Sequence, residues 1–522
     1  MSSTFENPWV ADQGDGTYCN PILFADYSDP DVIRVGDNFY MVASSFNCTP
    51  GIPILRSQDL VNWTIINHVF DRLPYPCYDE PAHGKGAWAP SIRYHAGKYW
   101  VFFSTPDEGI FMSTAADPAQ AWSPLKLVKE AKGWIDPCPF WDDDGQAYLV
   151  HAFAKSRAGI KSILHLCRMK PDGTELLDEG RLVFDGTQEH PTIEGPKLYK
   201  HNGYYYIFAP AGGVRPGWQT VLRAKNVSGP YEDKIVMAQG NTDINGPHQG
   251  GWVELESGEG WFVHFQDRGA YGRITHLQPV CWIDDWPLIG QDRDGDSIGE
   301  PVAIHAKPNV GKNFSVAVPQ TSDEFDSVKL GLQWQWHANP QPAWMSLSAN
   351  PGKLRLYAMP AKSDLLQVPN LLLQKFPAPT FTVTSRITFQ PEREGEQVGL
   401  VIIGKTLAFV GLQKQGANIR LIQSAHSDAG QVLIDGGRID RSTGSFYLRV
   451  SVGEGAVCRF SYSADGHVFK TLGEKFQACA GVWIGAKVGL FCINPSGTPS
   501  QGFADCHWFR VAASDALEQI DA

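Results

Sequence analysis

Three acidic residues that lie far apart in the sequence share closely similar local settings. Asp29 and Asp136 each directly precede a proline, in the stretches SDPDVIRV and IDPCPFW, and Glu194 lies one residue before the Gly-Pro pair of IEGPKLY. Carboxylates that are brought close together cannot all ionise easily, so the pKa of at least one must rise. Hydrolysis of a glycosidic bond needs this combination, because a protonated carboxyl group protonates the leaving oxygen while an ionised one activates water.

Each of the three residues has a simpler explanation when it is taken alone. An acidic residue at the start of a strand is most often a turn former or a solvated side chain. The chemical interpretation is favoured because the three residues occupy corresponding places in a repeat, which turn formation does not require.

The repeat consists of β-hairpins at the intervals expected of propeller blades. In four segments a small or acidic residue precedes Pro, and a strand, a turn with Gly and an aromatic-rich strand follow; a fifth segment lacks the Pro but keeps the hairpin. The segments begin at Asp29, Ala89, Asp136, Gly195 and Gly250. Hairpin units of roughly 40–50 residues are typical of propellers, in which the first strand of each blade lines a central channel. The three carboxylates are therefore predicted to meet at the entrance of that channel.

The second half of the chain has a different pattern. Residues 301–322 are read as a linker, and the region after them contains many short strands separated by turn signals, which is typical of a β-sandwich. The sequence therefore predicts an all-β protein, with a five-bladed β-propeller catalytic domain over residues 1–318 and a β-sandwich domain over residues 319–522.

The composition narrows the class of partner. With 44 Lys and Arg against 56 Asp and Glu, the net charge is −12, which disfavours nucleic acid and an anionic membrane surface as partners. Aromatic residues make up 12% of the chain, which suits stacking on sugar rings, although all-β cores are also rich in aromatic residues. A small oligosaccharide is the predicted partner, and the sequence gives no prediction of the oligomeric state.

The first residues, MSSTFENPWVADQGDG, contain no basic region followed by an apolar stretch, so no secretory signal is predicted and the expected location is the cytoplasm. No apolar run approaches the length of a membrane span. The 10 cysteines stand singly, without a CxxC pair or zinc spacing, and we expect them to be free thiols in a reducing compartment.

The chain resembles glycoside hydrolase family 43. The resemblance rests on the stretches NPILFADYSDPDVIRVGDNFYM, WAPSIRYHAGKYWVFF, WIDPCPFWDDDG, IEGPKLYK and GRITHLQPVCW. The later QWQWHANP and FADCHWFRV are similar to the concanavalin-like jelly roll of the β-xylosidase and α-L-arabinofuranosidase branch. The resemblance implies an inverting, exo-acting hydrolase that releases xylose, arabinofuranose or both from short xylan-derived oligosaccharides. The alternative is a propeller that binds carbohydrate without catalysis.

The resemblance also implies roles for individual residues. Asp29 matches the general base of the family, Glu194 its general acid, and Asp136 the residue that orients the acid and modulates its pKa. Arg273 matches an arginine that grips sugar hydroxyls. Asp31 is outside this set, so we expect it to have a structural role.

Three further residues are implied in the pocket. Phe46 and Trp88 match aromatic walls of the terminal sugar subsite, although an isolated aromatic residue is more often part of a core. His248 matches a histidine that faces the channel and that binds a calcium ion in some members. The resemblance implies that calcium is a possible ligand and that no cofactor is required for the chemistry.

Two other segments carry competing interpretations. Asp292, Asp294, Asp296 and Glu300 could form an oxygen cage for calcium, but a solvated acidic turn is favoured, and the overlapping GDSIG lacks the strand–turn–helix context of a nucleophile elbow. Residues 330–344, with Trp334 and Trp336, could close the pocket from the sandwich side or could simply fill the sandwich core.

Overall fold

The computed structural model describes residues 7–361, 364–427, 430–439 and 444–514 of the chain. Within these ranges the regular structure is almost entirely β, and the one α-helix is the short α1 (Lys155–Ala158). Single 3₁₀ turns occur at Pro76–Tyr78, Gly269–Tyr271, Pro342–Trp344, Leu365–Gln367 and Glu454–Ala456. No helix in the described ranges is both long enough and apolar enough to cross a membrane.

The first part of the chain forms five antiparallel sheets, which are the blades of a propeller. Strands β1 (Thr17–Cys19) and β2 (Leu23–Asp26) precede the first blade. Blade 1 contains β3 (Asp31–Val35), β4 (Asn38–Val42), β5 (Gly51–Ser57) and β6 (Thr64–Phe70). Blade 2 contains β7 (Trp88–His95), β8 (Lys98–Thr105), β9 (Gly109–Ala115) and β10 (Lys126–Glu130).

Three more blades complete the ring. Blade 3 contains β11 (Trp134–Trp141), β12 (Ala147–Phe153), β13 (Ile163–Met169) and β14 (Arg181–Asp185). Blade 4 contains β15 (Lys197–His201), β16 (Tyr204–Ala211), β17 (Trp218–Ala224) and β18 (Glu232–Met237). Blade 5 contains β19 (His248–Glu254), β20 (Gly260–Asp267), β21 (Arg273–Ile283) and β22 (Trp286–Ile289). Strand β2 pairs with β21, so the amino-terminal segment completes blade 5. The ring of blades is therefore closed by the hydrogen bonds between these two strands.

The aromatic-rich second strands have apolar residues on both faces because each blade is packed between two others. In β4, Phe39 and Met41 belong to the core shared with blade 5, whereas Tyr40 and Val42 belong to the core shared with blade 2. Separate apolar clusters likewise join blades 2 and 3, blades 3 and 4, and blades 4 and 5. Successive side chains of a strand point to opposite faces, so a doubly buried strand reads as a continuous apolar run.

The carboxyl part of the chain is a sandwich of two sheets with eight strands each. Strand β23 (Ile304–Ala306) pairs with β1 and ends the propeller region. The next strands are β24 (Gln335–Trp336), β25 (Met345–Ser346), β26 (Leu354–Tyr357), β27 (Met359–Pro360), β28 (Leu372–Lys375), β29 (Phe381–Gln390), β30 (Gln397–Ile403) and β31 (Leu407–Gln415). The last are β32 (Asn418–Ser427), β33 (Gly430–Arg438), β34 (Phe446–Gly453), β35 (Val457–Ser463), β36 (Lys470–Thr471), β37 (Phe476–Gln477), β38 (Lys487–Asn494) and β39 (Phe503–Ala513).

One sheet is built on β24, β28, β38 and β30–β33, with β27 beside β38, and the other contains β25, β26, β39, β29 and β34–β37. The first sandwich contact after the linker is the bridge between Asp323 and Phe509. The predicted all-β class, with a five-bladed propeller and a concanavalin-like sandwich, is confirmed.

The sandwich packs directly on the propeller. Phe24, Tyr271 and Ile274 of blade 5 are buried in the same apolar cluster as the sandwich core. Trp334 and Trp336 are 2% and 5% exposed and lie in that cluster too, so they fill the sandwich rather than the pocket. Of the two alternatives for residues 330–344, the burial of these rings supports the one in which they fill the sandwich core.

Candidate active site

The residues that start the blades share an unusual backbone conformation. Asp29, Ala89, Asp136, Gly195 and Gln249, which lie at or just before the inner strands, have φ of 54°, 31°, 58°, 59° and 37°. Left-handed conformations of this kind are costly for residues other than Gly and cluster at functional sites. The position in blade 4 that corresponds to Asp29 and Asp136 is Gly195, so Glu194 lies one residue out of the register expected for three equivalent carboxylates.

Asp29 is held by donors on both carboxylate oxygens. Its Oδ1 accepts from Arg273 Nη1 at 2.9 Å, and its Oδ2 accepts from the hydroxyls of Ser28 at 2.7 Å and Ser44 at 2.6 Å. The side chain is only 4% exposed. A buried carboxylate that accepts from a guanidinium and two hydroxyls is held in one orientation.

Asp136 is fully buried on β11, and the pKa of its carboxyl group is raised. Its Oδ2 accepts from the backbone N–H of Gly195 at 2.7 Å and from Gln249 Nε2 at 3.4 Å. Burial, followed by the negative charge of Glu194, raises the pKa of Asp136 to about 8. Asp136 therefore keeps its proton to a higher pH than an exposed carboxyl group does.

Glu194 is the member of this pair that a ligand can reach. Its side chain is 23% exposed, whereas Asp136 is 1% exposed. Its Oε1 lies 2.9 Å from Nε2 of the buried His248, which fixes the carboxyl group. Of the two carboxyl groups, that of Glu194 is therefore the one open to a ligand.

The Asp136→Asn variant should be more stable than the wild type at alkaline pH. Because folding raises the pKa of Asp136 from 3.8 to about 8, the folded state holds a proton that the unfolded chain releases, and stability falls as the pH rises between these values. An amide avoids this loss and can still accept from Gly195. We expect its Tm to exceed that of the wild type by roughly a few degrees at about pH 8 and to differ little at about pH 4. Thermal scans that show the same difference at every pH would contradict the raised pKa.

Aromatic rings surround Arg273 and the carboxylates. The guanidinium of Arg273 lies 4.8 Å from the ring of Phe265 and 5.7 Å from that of Trp483. The ring of Trp88 lies 6.3 Å from that of Trp483 and 6.2 Å from that of Phe46. Phe46 is 2% exposed and supports Trp88. The indole N–H of Trp88 is buried without an acceptor among the described residues.

Trp483 is a site residue that the sequence analysis missed. It belongs to residues 479–486 of the sandwich, which reach the propeller: Gly485 N donates to Asp26 Oδ2 at 2.9 Å, and Ala486 N donates to Ala270 O at 2.7 Å. Trp483 is 49% exposed and has a φ of 67°. The sequence offers one signal that could have drawn attention to Trp483: the stretch GVWIG, in which the tryptophan lies between two glycines.

The family resemblance makes His248 a possible calcium ligand, and the described residues place no cluster of further ligands around it. Its Nε2 is used by Glu194, and within the described ranges it belongs to no group of three or more His, Cys, Asp or Glu side chains with converging ligand atoms. Calcium prefers six to eight oxygen ligands, which this arrangement does not supply. The buried Nδ1 has no partner among the described side chains.

The other acidic residues lie elsewhere. Asp31 accepts from Ile92 N and from Arg93 Nη1, which joins blades 1 and 2 and agrees with a structural role. Asp292, Asp294 and Asp296 have ligand atoms within 4.8 Å of one another, but they accept from backbone N–H groups of their own turn. Glu300 is buried instead and accepts from Asn241 N. The GDSIG segment lies in this turn and not between a strand and a helix, so it is no nucleophile elbow.

Comparisons with known proteins show which family the chain is similar to. The sequence profile described as Glycosyl hydrolases family 43 matches residues 18–287, and the profile described as Beta xylosidase C-terminal Concanavalin A-like domain matches residues 322–512. A protein of Xylanibacter ruminicola named putative beta-xylosidase is 45% identical over 484 residues, which cover 92% of this chain and 86% of that protein.

Two further relatives extend over almost the whole chain. The non-reducing end alpha-L-arabinofuranosidase BoGH43B of Bacteroides ovatus is 29% identical over 534 residues, which cover 96% of this chain and 95% of that protein. The crystal structure of the GH43 BlXynB protein from Bacillus licheniformis is 28% identical and has a TM-score of 0.82, with 95% of this chain and 100% of that chain covered. The chain belongs to glycosyl hydrolase family 43.

Proposed function

We propose that this protein is an inverting, exo-acting glycoside hydrolase that releases xylose, arabinofuranose or both from short xylan-derived oligosaccharides. The observation that carries the proposal is that three carboxyl groups lie in different settings: Asp136 is buried and has a raised pKa, Glu194 is partly exposed beside His248, and Asp29 accepts from Arg273. In the proposed reaction Glu194 carries the proton and Asp29 is the ionised group. The names of the relatives, putative beta-xylosidase and alpha-L-arabinofuranosidase, support this substrate class.

The reaction follows from the protonation states. Glu194 donates its proton to the glycosidic oxygen as the bond from that oxygen to the anomeric carbon breaks. A water molecule attacks the anomeric carbon from the opposite side and gives its proton to Asp29, so the new bond forms with inverted configuration. Asp136 stays buried behind Glu194, and Arg273 holds Asp29 in place and offers its remaining N–H groups to sugar hydroxyls.

The walls of the site favour removal of terminal sugars. Trp483 from the sandwich stands beside Arg273 and Trp88, so a second domain limits the site on one side. A site that is closed on one side and lined by aromatic rings buries one or two sugar units and excludes bulk water from the reacting atoms. We therefore propose a pocket rather than an open cleft.

Release of nitrophenol tests the proposal directly. The protein should hydrolyse p-nitrophenyl β-D-xylopyranoside, p-nitrophenyl α-L-arabinofuranoside or both, and the ratio of the two rates gives the sugar preference. Asp29→Asn serves as the control for contaminating activity. Binding of xylo-oligosaccharides without hydrolysis of either glycoside would favour the non-catalytic alternative, and cleavage in the interior of polymeric xylan would contradict the exo assignment.

Trp483→Ala should lower the catalytic efficiency on oligosaccharides. Loss of the ring opens one wall of the site, so we expect kcat/KM on xylobiose to fall by about tenfold, mainly through KM. Trp483→Phe keeps an aromatic face and should retain most of the activity. Trp508→Ala is the matched control, because Trp508 lies on β39, which carries no residue of the site. Unchanged kinetics of Trp483→Ala would show that this indole does not contact the substrate.

A further inference from the structure

Lys197, the first residue of β15, is buried next to the catalytic carboxylates. It lies three positions after Glu194 in EGPK, and its side chain is 0% exposed. Its ammonium group makes no hydrogen bond to any residue in the described part of the chain. A buried charge without a partner is strongly unfavourable, so an electrostatic compensation must be present nearby.

The compensation comes from the carboxylates, whose charges exceed those of the fixed cations. The charged and titratable groups around the channel entrance are Asp29 before β3, Asp31 on β3, Arg93 on β7, Asp136 and Cys138 on β11, Glu194 before β15, Tyr199 on β15, His248 on β19 and Arg273 on β21. Asp31 and Arg93 form an ion pair at 2.7 Å, so their charges cancel. Asp29 accepts from Arg273, and Asp26 accepts from the backbone N–H of Arg273, while Asp136 and Glu194 are the carboxyl groups next to Lys197.

The positive charge of Lys197 acts on the carboxyl group of Asp136, which lies beside Glu194. It opposes the effects of burial and of Glu194 and favours the ionised form of Asp136. We propose that Lys197 is a positioning residue whose buried ammonium charge sets how tightly the Asp136–Glu194 pair holds its proton. The proposal rests on the proposed function, in which that proton is delivered to the leaving group.

Removal of the Lys197 charge should therefore change the pH dependence of kcat and not only its maximum value. Without the ammonium the ionised form of the pair is less favourable, so the proton is retained to a higher pH. The alkaline limb of the kcat profile on xylobiose should move upward by about one pH unit or more in Lys197→Met. Lys197→Arg keeps the charge and should leave the limb in place, even if its larger group lowers kcat.

A matched control is available on the same strand. Lys200 is 31% exposed and forms ion pairs with Asp142 and Asp143, away from the three carboxylates. Lys200→Met makes the same chemical change on β15 and should not move the limb. Lys197→Gln, which is neutral and polar, replaces Lys197→Met if the latter does not fold.

The outcomes separate this inference from the proposed function. An upward shift in a neutral variant, with no shift in Lys197→Arg and Lys200→Met, supports the proposal. A folded neutral variant with the wild-type limb, or a shift of the same size in Lys197→Arg, overturns it. Wild-type protein without activity on xylobiose and on both nitrophenyl glycosides would instead refute the proposed function itself.

Discussion

The Glu194→Gln variant is expected to lose about a thousandfold in kcat on xylobiose and less than about tenfold on 2,4-dinitrophenyl β-D-xyloside. A poor leaving group cannot depart without a proton, whereas dinitrophenolate departs without one. Glu194 is 23% exposed, whereas the neighbouring Asp136 is 1% exposed, so we expect that Asp136 cannot replace Glu194 as the donor.

The Asp29→Asn variant should behave differently. Water must lose a proton whichever leaving group departs, so we expect a loss of about a thousandfold on both substrates. Asp31→Asn is not a suitable control because its ion pair with Arg93 joins two blades. Glu254→Gln, a change at the last residue of β19, serves as the control instead and should retain wild-type rates. Equal losses in Glu194→Gln and Asp29→Asn on the dinitrophenyl substrate would show that the two roles are assigned wrongly.

Removal of the sandwich, by truncation near residue 320, should nearly abolish activity and solubility. Phe24, Tyr271 and Ile274 of blade 5 are buried against the sandwich and would become exposed. The truncation also removes Trp483 from its place beside Arg273. We expect a loss of activity on xylobiose of about a hundredfold or more, because both the site wall and the fold of blade 5 are damaged. A soluble propeller with undiminished turnover would contradict this role of the sandwich.

A substitution in the full-length chain tests the contact between the sandwich and the propeller without removing a domain. A Cβ atom at Gly485 would lie 2.8 Å from the backbone of Tyr271 and Gly272, so Gly485→Ala should displace residues 479–486 from the propeller. We expect kcat/KM on xylobiose to fall by about tenfold while the protein remains folded. Gly453→Ala is the matched control, since its Cβ meets only an ordinary contact at 3.6 Å. The isolated sandwich should not bind xylan in a pull-down, because it completes a site rather than forming one.

The sequence was sufficient for the parts of the fold that repeat. Four of the five blades begin with a strand next to a proline, and all five have an aromatic-rich second strand. That regularity is enough to predict that Asp29 and Asp136 lie at one end of the channel. Arg273 and Glu194 are also placed beside them as expected from the family resemblance. The register of Glu194 was not predicted, since the turn before β15 puts Gly195 in the position that Asp occupies elsewhere.

The contribution of the sandwich could not be read from the sequence. Trp334, Trp336 and Trp483 are all tryptophans in the same domain, and only the packing shows that the first two are in the core while the third faces Arg273. Lys197 was missed for a related reason. A lysine near the start of a strand is normally solvated, and its burial depends on neighbours from other blades that are distant in the sequence.

The anomer that is released first tests the central claim most directly. Proton NMR can follow hydrolysis of xylobiose by a large amount of enzyme, before mutarotation mixes the anomers. A single displacement, with Glu194 as acid and Asp29 as base, predicts that α-xylose appears first from the non-reducing end and that β-xylose appears later by mutarotation. Initial appearance of β-xylose from that end would require a double displacement and would contradict the mechanism.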